Sequence, residues 1–360
     1  MLKAQTLKGF RDFLSIEERK RQYLITTLTS IFKRFGFEQM ETPVLEYEEI
    51  LAGKYGSEGE KLMYRFEDLG KRRVAMRYDQ TVPLARVIAQ YQNQITFPFK
   101  RYQISPVWRA ENTQKGRYRE FLQCDIDTIG SDSILSDAEI IATISSAYKK
   151  LGFTNTTILL NDREIFKDLS TETIIVIDKL EKIGKDGVIK ELAEKKLTAT
   201  TKAAKELLDS LLTRQPTQRL LQITNSLESF GVDMQTIKFS STLARGLDYY
   251  TGLIFEVKTP DYPYGALCGG GRYDNLIGMF MDSKNLPAVG LSVGFDRTLE
   301  AMEKLHLFPP TITNSTTKVL VTIFSSKLIN KSSEITTKLR TKNINAEIYL
   351  GEIKEKNPLE

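Results

Sequence analysis

Residues 245–250 read Arg-Gly-Leu-Asp-Tyr-Tyr, which joins a planar cation, a bend and two hydroxyl-tipped rings. No fold requires that combination. A second basic and aromatic stretch runs from Arg109 to Asp127, and a third, Gly290 to Arg297, sets glycines around an apolar run ahead of an arginine. A guanidinium grips phosphate or carboxylate oxygens bidentately, which an ammonium cannot copy. Three such clusters, far apart in sequence, point to one site for an anionic ligand that carries a nitrogenous group.

The run from Arg117 to Asp127 carries the most detail. At strand period two, Leu122, Cys124 and Ile126 face a core, and Arg117, Arg119, Phe121, Gln123, Asp125 and Asp127 share the opposite face. That face grades from cations, past a ring, to an amide and two carboxylates. It suits a ligand with phosphate at one end and an amine or protonatable ring at the other; a solvated face with cross-strand ion pairs is the plainer alternative. Arg109 and Glu111 end the partner strand, either as a phosphate grip or as a surface pair of little energetic weight. Asp79 and Thr81, in Arg77-Tyr-Asp-Gln-Thr, offer a carboxylate and a hydroxyl, or simply a helix cap. Gly269-Gly-Gly-Arg-Tyr-Asp lacks the Lys-Ser/Thr of a phosphate loop. Gly290 and Gly294 allow a flat ring close to the backbone, with Arg297 stacked over it.

The elements that must position these groups are legible in outline. Ser15 with Glu18 reads as a capping box, and Leu24, Leu28, Ile31, Phe32 and Phe35 follow at helical spacing up to Gly36. Phe37 to Leu45 reads as a strand ended by the stiff Thr42-Pro43 step. Residues 62–78 alternate about Leu69-Gly70-Lys71 as a hairpin, and Val82 to Tyr91 is amphipathic. Phe97 to Ile129 reads as two long antiparallel strands joined at 112–116. Ser136 with Glu139 caps a further helix that Gly152 closes. From Arg163 to Phe230 the composition turns to Lys, Glu, Leu and Thr, with helical periodicity in 175–183, 188–197 and 203–212. Strand character returns at 237–243, 253–257 and 288–293. After the Pro- and Thr-rich stretch 309–317, residues 319–350 read as β-α-β, too small to hold a good core alone.

Bulk properties bound the class. With 41% hydrophobic and 27% charged residues the composition is that of an ordinary globular protein. A net charge of +5 suits a polyanionic partner without demanding one. Two cysteines and one histidine exclude a disulfide framework and the usual zinc ligand sets. No apolar run approaches the roughly 20 residues of a membrane span, and the first residues have no apolar signal core; the expected location is cytoplasmic.

Taken together, these residues resemble the histidyl-tRNA synthetases, class II aminoacyl-tRNA synthetases, from Gly9-Phe-Arg-Asp-Phe onward. Helix 16–35 with the strand ending at Pro43 resembles motif 1, the dimer-forming element. Arg109-Ala-Glu with Gly116-Arg-Tyr-Arg-Glu-Phe-Leu-Gln resembles motif 2, and Gly290-Leu-Ser-Val-Gly-Phe-Asp-Arg297 resembles motif 3. The histidine-specific signatures are Arg245-Gly-Leu-Asp-Tyr-Tyr-Thr-Gly and Gly270-Gly-Arg-Tyr-Asp. The resemblance implies an α+β fold: an antiparallel sheet of six or seven strands flanked by helices, a helical insertion and the start of an α/β anticodon-binding domain. The implied organisation is a catalytic core in 1–162 and 233–308, a helical insertion in 163–232, a linker at 309–317 and a partial anticodon-binding domain in 318–360, which stops about halfway through what the family shows.

Roles follow by the same resemblance. Asp79, Thr81 and Gln123 fall at the α-amino group of histidine, with Gln80 also counted among the histidine-binding residues, Asp127 and Tyr250 at the imidazole, and Tyr249 on the pocket wall. Arg109 falls at the α-phosphate and carboxylate, Glu111, Arg117 and Arg297 at ATP, and Arg245 is the catalytic cation. The implied partners are histidine, ATP with Mg2+, tRNA(His) and a second copy of the chain. The implied reaction activates histidine as an adenylate and transfers it to the 3′ end of tRNA. A histidine-binding regulatory subunit of ATP phosphoribosyltransferase, which keeps the core without activating histidine, is the alternative. Arg245, a complete motif 2 and the β-α-β after the linker count against it.

Overall fold

The structure, a computed structural model, describes residues 3–54, 56–113, 117–245, 250–281, 285–312 and 315–351. The chain divides into two compact units, one of Met1–Asp12 with Tyr23–Leu307 and one of Phe13–Gln22 with Phe308–Glu360.

The larger unit is built on an eight-stranded sheet. In chain order its strands are β1 (Glu38–Gln39), β2 (Phe99–Trp108), β3 (Glu120–Ile129), β4 (Thr157–Asp162), β5 (Ile237–Phe239), β6 (Leu253–Lys258), β7 (Cys268–Arg272) and β8 (Ala288–Gly294). They lie in the order β1-β2-β3-β8-β7-β6-β4-β5. All central pairs are antiparallel, and the short edge strands β1 and β5 join in parallel. The sheet therefore exceeds the expected six or seven strands. β7 contains three consecutive glycines and has little strand propensity of its own; it is a strand because β6 and β8 hydrogen-bond it on both edges.

The expected strand from Phe37 to Leu45 divides. Glu38 and Gln39 pair with Arg101 and Tyr102 of β2. Leu45–Tyr47 instead joins a separate three-stranded sheet with the hairpin strands Arg65–Glu67 and Arg73–Met76. Thr42-Pro43 lies between the two pieces, where proline holds the chain out of helical geometry and donates no ladder hydrogen bond.

Helix α1 (Ser15–Arg34) buries Leu24, Leu28, Ile31 and Phe32 completely or nearly so. Its cap lies one residue earlier than expected: the Glu17 carboxylate takes the Leu14 N–H at 3.0 Å, while Glu18 turns to Arg21 and Gln22. Helix α2 (Thr81–Tyr91) buries Val82, Leu84, Ala85 and Ile88. Helix α3 (Ile134–Lys150) packs on β3 and β8. Ser133, not Ser136, caps it by accepting the Leu135 N–H at 3.2 Å, and Ser136 bonds Ser131 at 2.7 Å within the first turn.

Four helices follow β4: α4 (Thr171–Ile177), α5 (Leu180–Glu194), α6 (Thr201–Leu212) and α7 (Gln218–Ser229). Val176, Val188, Leu192, Ala204 and Leu208 give α4 to α6 a core of their own. Helix α7, capped by Thr217, was not expected from periodicity; Leu220, Ile223 and Leu227 are buried, and it packs against α3. Helix α8 (Phe295–Lys304) follows β8 directly. In the smaller unit, Val319–Val321 and Ala346–Ile348 pair in parallel around helix α9 (Ile329–Thr341), the expected β-α-β.

Candidate active site

A cavity of about 590 Å³ opens over the middle of the sheet. Asp79 and Thr81 reach it from the entry to α2, Arg109, Glu111 and Arg117 from the segment between β2 and β3, Gln123 from β3, and Arg297 from the first turn of α8. Arg245, Tyr250, Glu256 and Gly269 complete the wall from the β6–β7 side. Cations thus enter from three separate parts of the chain, and carboxylates stand between them.

Each arginine is anchored at one edge. Arg109 Nε donates to the Tyr78 carbonyl at 3.1 Å, with its guanidinium 4.5 Å from the Tyr78 ring centre, and its Nη2 donates to Gln123 Oε1 at 3.4 Å. Arg245 Nη1 pairs with Glu256 at 3.3 Å. It lies over β7, where a Cβ on Gly269 would stand 1.5 Å from that nitrogen. Glycine at 269 is therefore the condition for Arg245 to occupy this place. Arg297 Nη1 donates to the Ala266 carbonyl at 2.5 Å, and Arg117 pairs with Glu111 at 3.5 Å. Such anchoring removes rotamer freedom before any anion arrives.

Beneath the wall, β3 carries Gln123, Asp125 and Asp127 on one face, all buried. In register they face Ser105, Gln103 and Arg101 of β2, and Gly294, Ser292 and Gly290 of β8. Arg101 is fully buried and reaches Asp127 Oδ2 at 2.8 Å. The Tyr273 hydroxyl donates to Asp127 Oδ1. A Cβ on Gly290 would stand 1.9 Å from the same oxygen, so this glycine makes room for a carboxylate. Burial pushes the Asp127 carboxyl up, and the Arg101 guanidinium draws it back. A charge so deep persists only when paired and hydrogen-bonded. Burial likewise pushes Asp125 up to about 7.

Residues 9–212 and 179–298 match the family model described as histidyl-tRNA synthetase. The chain belongs to the histidyl-tRNA synthetase family. It is 39% identical to the histidine–tRNA ligase of Cytophaga hutchinsonii, covering 100% of this chain and 90% of that protein. It is 41% identical to the Treponema denticola ligase, covering 97% and 84%. Among solved structures, the histidyl-tRNA synthetase of Nostoc sp. PCC 7120 superposes with a TM-score of 0.83 at 27% identity, over 98% of this chain and 88% of that one. A Bacillus halodurans protein titled ATP phosphoribosyltransferase regulatory subunit/histidyl-tRNA synthetase shares the fold, with a TM-score of 0.77 at 22% identity over 96% and 92%.

Of the residues assigned through the family resemblance, nine line this cavity: Asp79, Thr81, Arg109, Glu111, Arg117, Gln123, Arg245, Tyr250 and Arg297. Asp79 also accepts the Val82 N–H at 3.1 Å, so the same residue caps the start of α2 and lines the cavity. Gln80 is placed elsewhere: its buried Nε2 donates to the Ser105 and Gln123 carbonyls, both at 3.0 Å, and braces α2 against the sheet. Asp127 lies below the wall. Tyr249 lies outside the described residues, as do Gly246, Leu247 and Asp248.

Sequence reasoning missed Arg101, the contact of Tyr273 with Asp127, and the space that Gly269 and Gly290 leave for Arg245 and Asp127. An arginine amid alternating residues reads as solvent-facing, and only the register opposite Asp127 reveals it as a buried counter-ion. The Gly-Arg-Tyr-Asp signature of the family is explained in the same way. Its tyrosine reaches Asp127, while Arg272 grips buried Asp137 of α3 at 2.7 Å and Asp274 at 3.1 Å. Arg11, near the start of the chain, pairs with Asp296 at 2.9 Å and covers the Tyr118 ring at 3.2 Å, bracing two wall residues.

Proposed function

We propose that this chain is a histidine–tRNA ligase in which the 590 Å³ cavity activates histidine with ATP. The observation that carries this reading is the convergence of Arg109, Arg245 and Arg297 on one cavity that is also lined by Gln123, from the same strand as the buried, paired Asp127. The family relatives named histidine–tRNA ligase, matched over nearly their whole length, support it.

Activation joins the histidine carboxylate to the α-phosphate of ATP and expels pyrophosphate. Two anions must meet, so positioning and positive charge supply most of the catalysis. Arg109 and Arg245, held on different sides of the cavity, would stabilise the crowded transition state. No protein base is needed, because the attacking carboxylate is already ionised. Gln123, Asp79 and Thr81 would take the α-ammonium and Tyr250 an imidazole N–H, with the Asp127 carboxylate, paired with Arg101 and Tyr273 below the wall, as the buried negative charge that favours it. Burial of those acceptors rejects ring analogues that lack N–H by on the order of 10⁴–10⁵, without an editing site. Arg117 and Arg297 would hold the ATP phosphates. Magnesium would arrive with the β- and γ-phosphates and neutralise their charge, and Glu111, the wall carboxylate beside Arg117, suits it. A homodimer through motif 1 and a cytoplasmic location complete the proposal.

The regulatory-subunit reading has a likeness of fold at 22% identity in its favour, but a regulator has no use for cations on both sides of an α-phosphate site. Histidine-dependent ATP–pyrophosphate exchange separates the two. Exchange with histidine and with no other amino acid is the expected result; histidine binding without exchange would turn the assignment to the regulator.

A further inference from the structure

Gln123 is an amide, and an amide can face its site with either end. Its oxygen accepts from an ammonium, whereas its NH2 would repel one. The neighbours of Gln123 settle which end is presented. Nε2 donates to Asp125 Oδ2 at 2.7 Å, and Oε1 accepts from Arg109 Nη2 at 3.4 Å. An ionised carboxylate only accepts and a guanidinium only donates, so the two partners lock the amide in one orientation. Gln123 lines the cavity and Asp125 does not; Asp125 is 2% exposed. We infer that Asp125 is a positioning residue, which turns the Gln123 amide oxygen into the cavity and so builds the acceptor for the α-ammonium of histidine.

This rests on the reading of the cavity as the histidine site. The lock works while Asp125 is charged. The groups facing it are Gln103 of β2, Ser292 of β8 and Gln123 of its own strand, with Arg101 and Asp127 one pair further along. Burial raises the carboxyl to about 7; the positive Arg101 and the hydrogen bonds from Gln123 and Ser292 hold it down, and Asp127 raises it. Below neutrality a protonated Asp125 can donate to Gln123 Oε1 and release the lock.

The test uses the full chain and four variants: Asp125→Asn, Asp125→Leu, Gln123→Leu and the Asp125→Leu/Gln123→Leu double. Calorimetry measures the Kd for histidine and for its hydroxy-acid analogue, in which a hydroxyl replaces the ammonium. Exchange kinetics give KM for histidine and for ATP. Asp125→Leu should weaken histidine roughly 10- to 100-fold, the cost of a charge-assisted hydrogen bond, with the analogue and the KM for ATP little changed. Asp125→Asn keeps an acceptor oxygen and should restore most of the affinity, while flattening the loss that wild type shows below pH 7. The double variant should be no worse than Gln123→Leu, because a residue that acts through Gln123 has nothing left to orient. Additive losses, or equal losses for histidine, analogue and ATP, would overturn the inference. Absence of exchange with the calorimetric pattern intact would sink the ligase assignment and leave the role of Asp125 standing; if histidine does not bind the wild-type chain at all, both fall.

Discussion

Arg245 and Gly269 form one spatial unit although 24 positions separate them, because the missing side chain of one is the space occupied by the other. Arg245→Ala should lower the rate of adenylate formation about 100-fold or more, as loss of a preorganised transition-state contact does. Gly269→Ala should produce the same defect with the arginine present, since its Cβ displaces the guanidinium. Pyrophosphate exchange measures both, and a near-wild-type rate in either variant would contradict the assignment. Arg101 acts differently. Arg101→Met strands the buried Asp127 charge, which costs about 3–5 kcal/mol on denaturant unfolding. Adding Asp127→Asn removes the stranded charge and should recover part of that loss.

Elements differ in how far their behaviour is independent of the site. Helices α4 to α6 bury Val176, Val188, Leu192, Ala204 and Leu208 among themselves, none of them a cavity-wall residue, while Ile174, Ile177 and Leu211 join a second cluster with Ala244 and Ile254. Leu208→Ala removes a fully buried side chain from that small core and should cost about 2–5 kcal/mol. Hydrogen exchange should then show lost protection in 171–212, with histidine-dependent exchange activity retained. Equal loss of protection in β3 and β8 would mean that the helical segment and the sheet unfold as one. Strand β7 is the opposite case, since its glycines serve Arg245 and Tyr250 at the expense of its own strand propensity.

At the scale of the whole molecule, charge and pH matter most. The net charge of +5 is modest, but a tRNA partner is a dense polyanion. Binding it releases counterions, so the KM for tRNA should rise steeply between roughly 50 and 200 mM salt, while amino-acid activation changes little. Parallel salt dependence in the two assays would remove the reason to assign tRNA contacts to electrostatics. Asp125 makes a pH component of stability whose sign is opposite to that of a surface carboxylate. Its folded value, about 7, lies above the ordinary aspartate value of about 4, so its contribution is full below about 4 and is lost as pH rises through about 7. Asp125→Asn should remove that part of the fall in melting temperature.

Much of this was legible in the amino-acid sequence. Local periodicity located α1, α2, α3, the β2–β3 hairpin and the final β-α-β, because those signals depend on residues close together in the chain. Residue type singled out Arg109, Arg245, Gln123 and Arg297 as candidates, with surface ion pairs as the plainer alternative, and their roles came from the family resemblance. What required the folded molecule were the pairings between strands distant in sequence. Register put Arg101 against Asp127, Ser292 against Asp125 and Gly290 beneath a carboxylate oxygen. It also made a strand of the glycine run, which has little strand propensity of its own, and turned Gln80 inward. Buried polar partners and close backbone approaches arise between segments, and no periodicity within either segment records them.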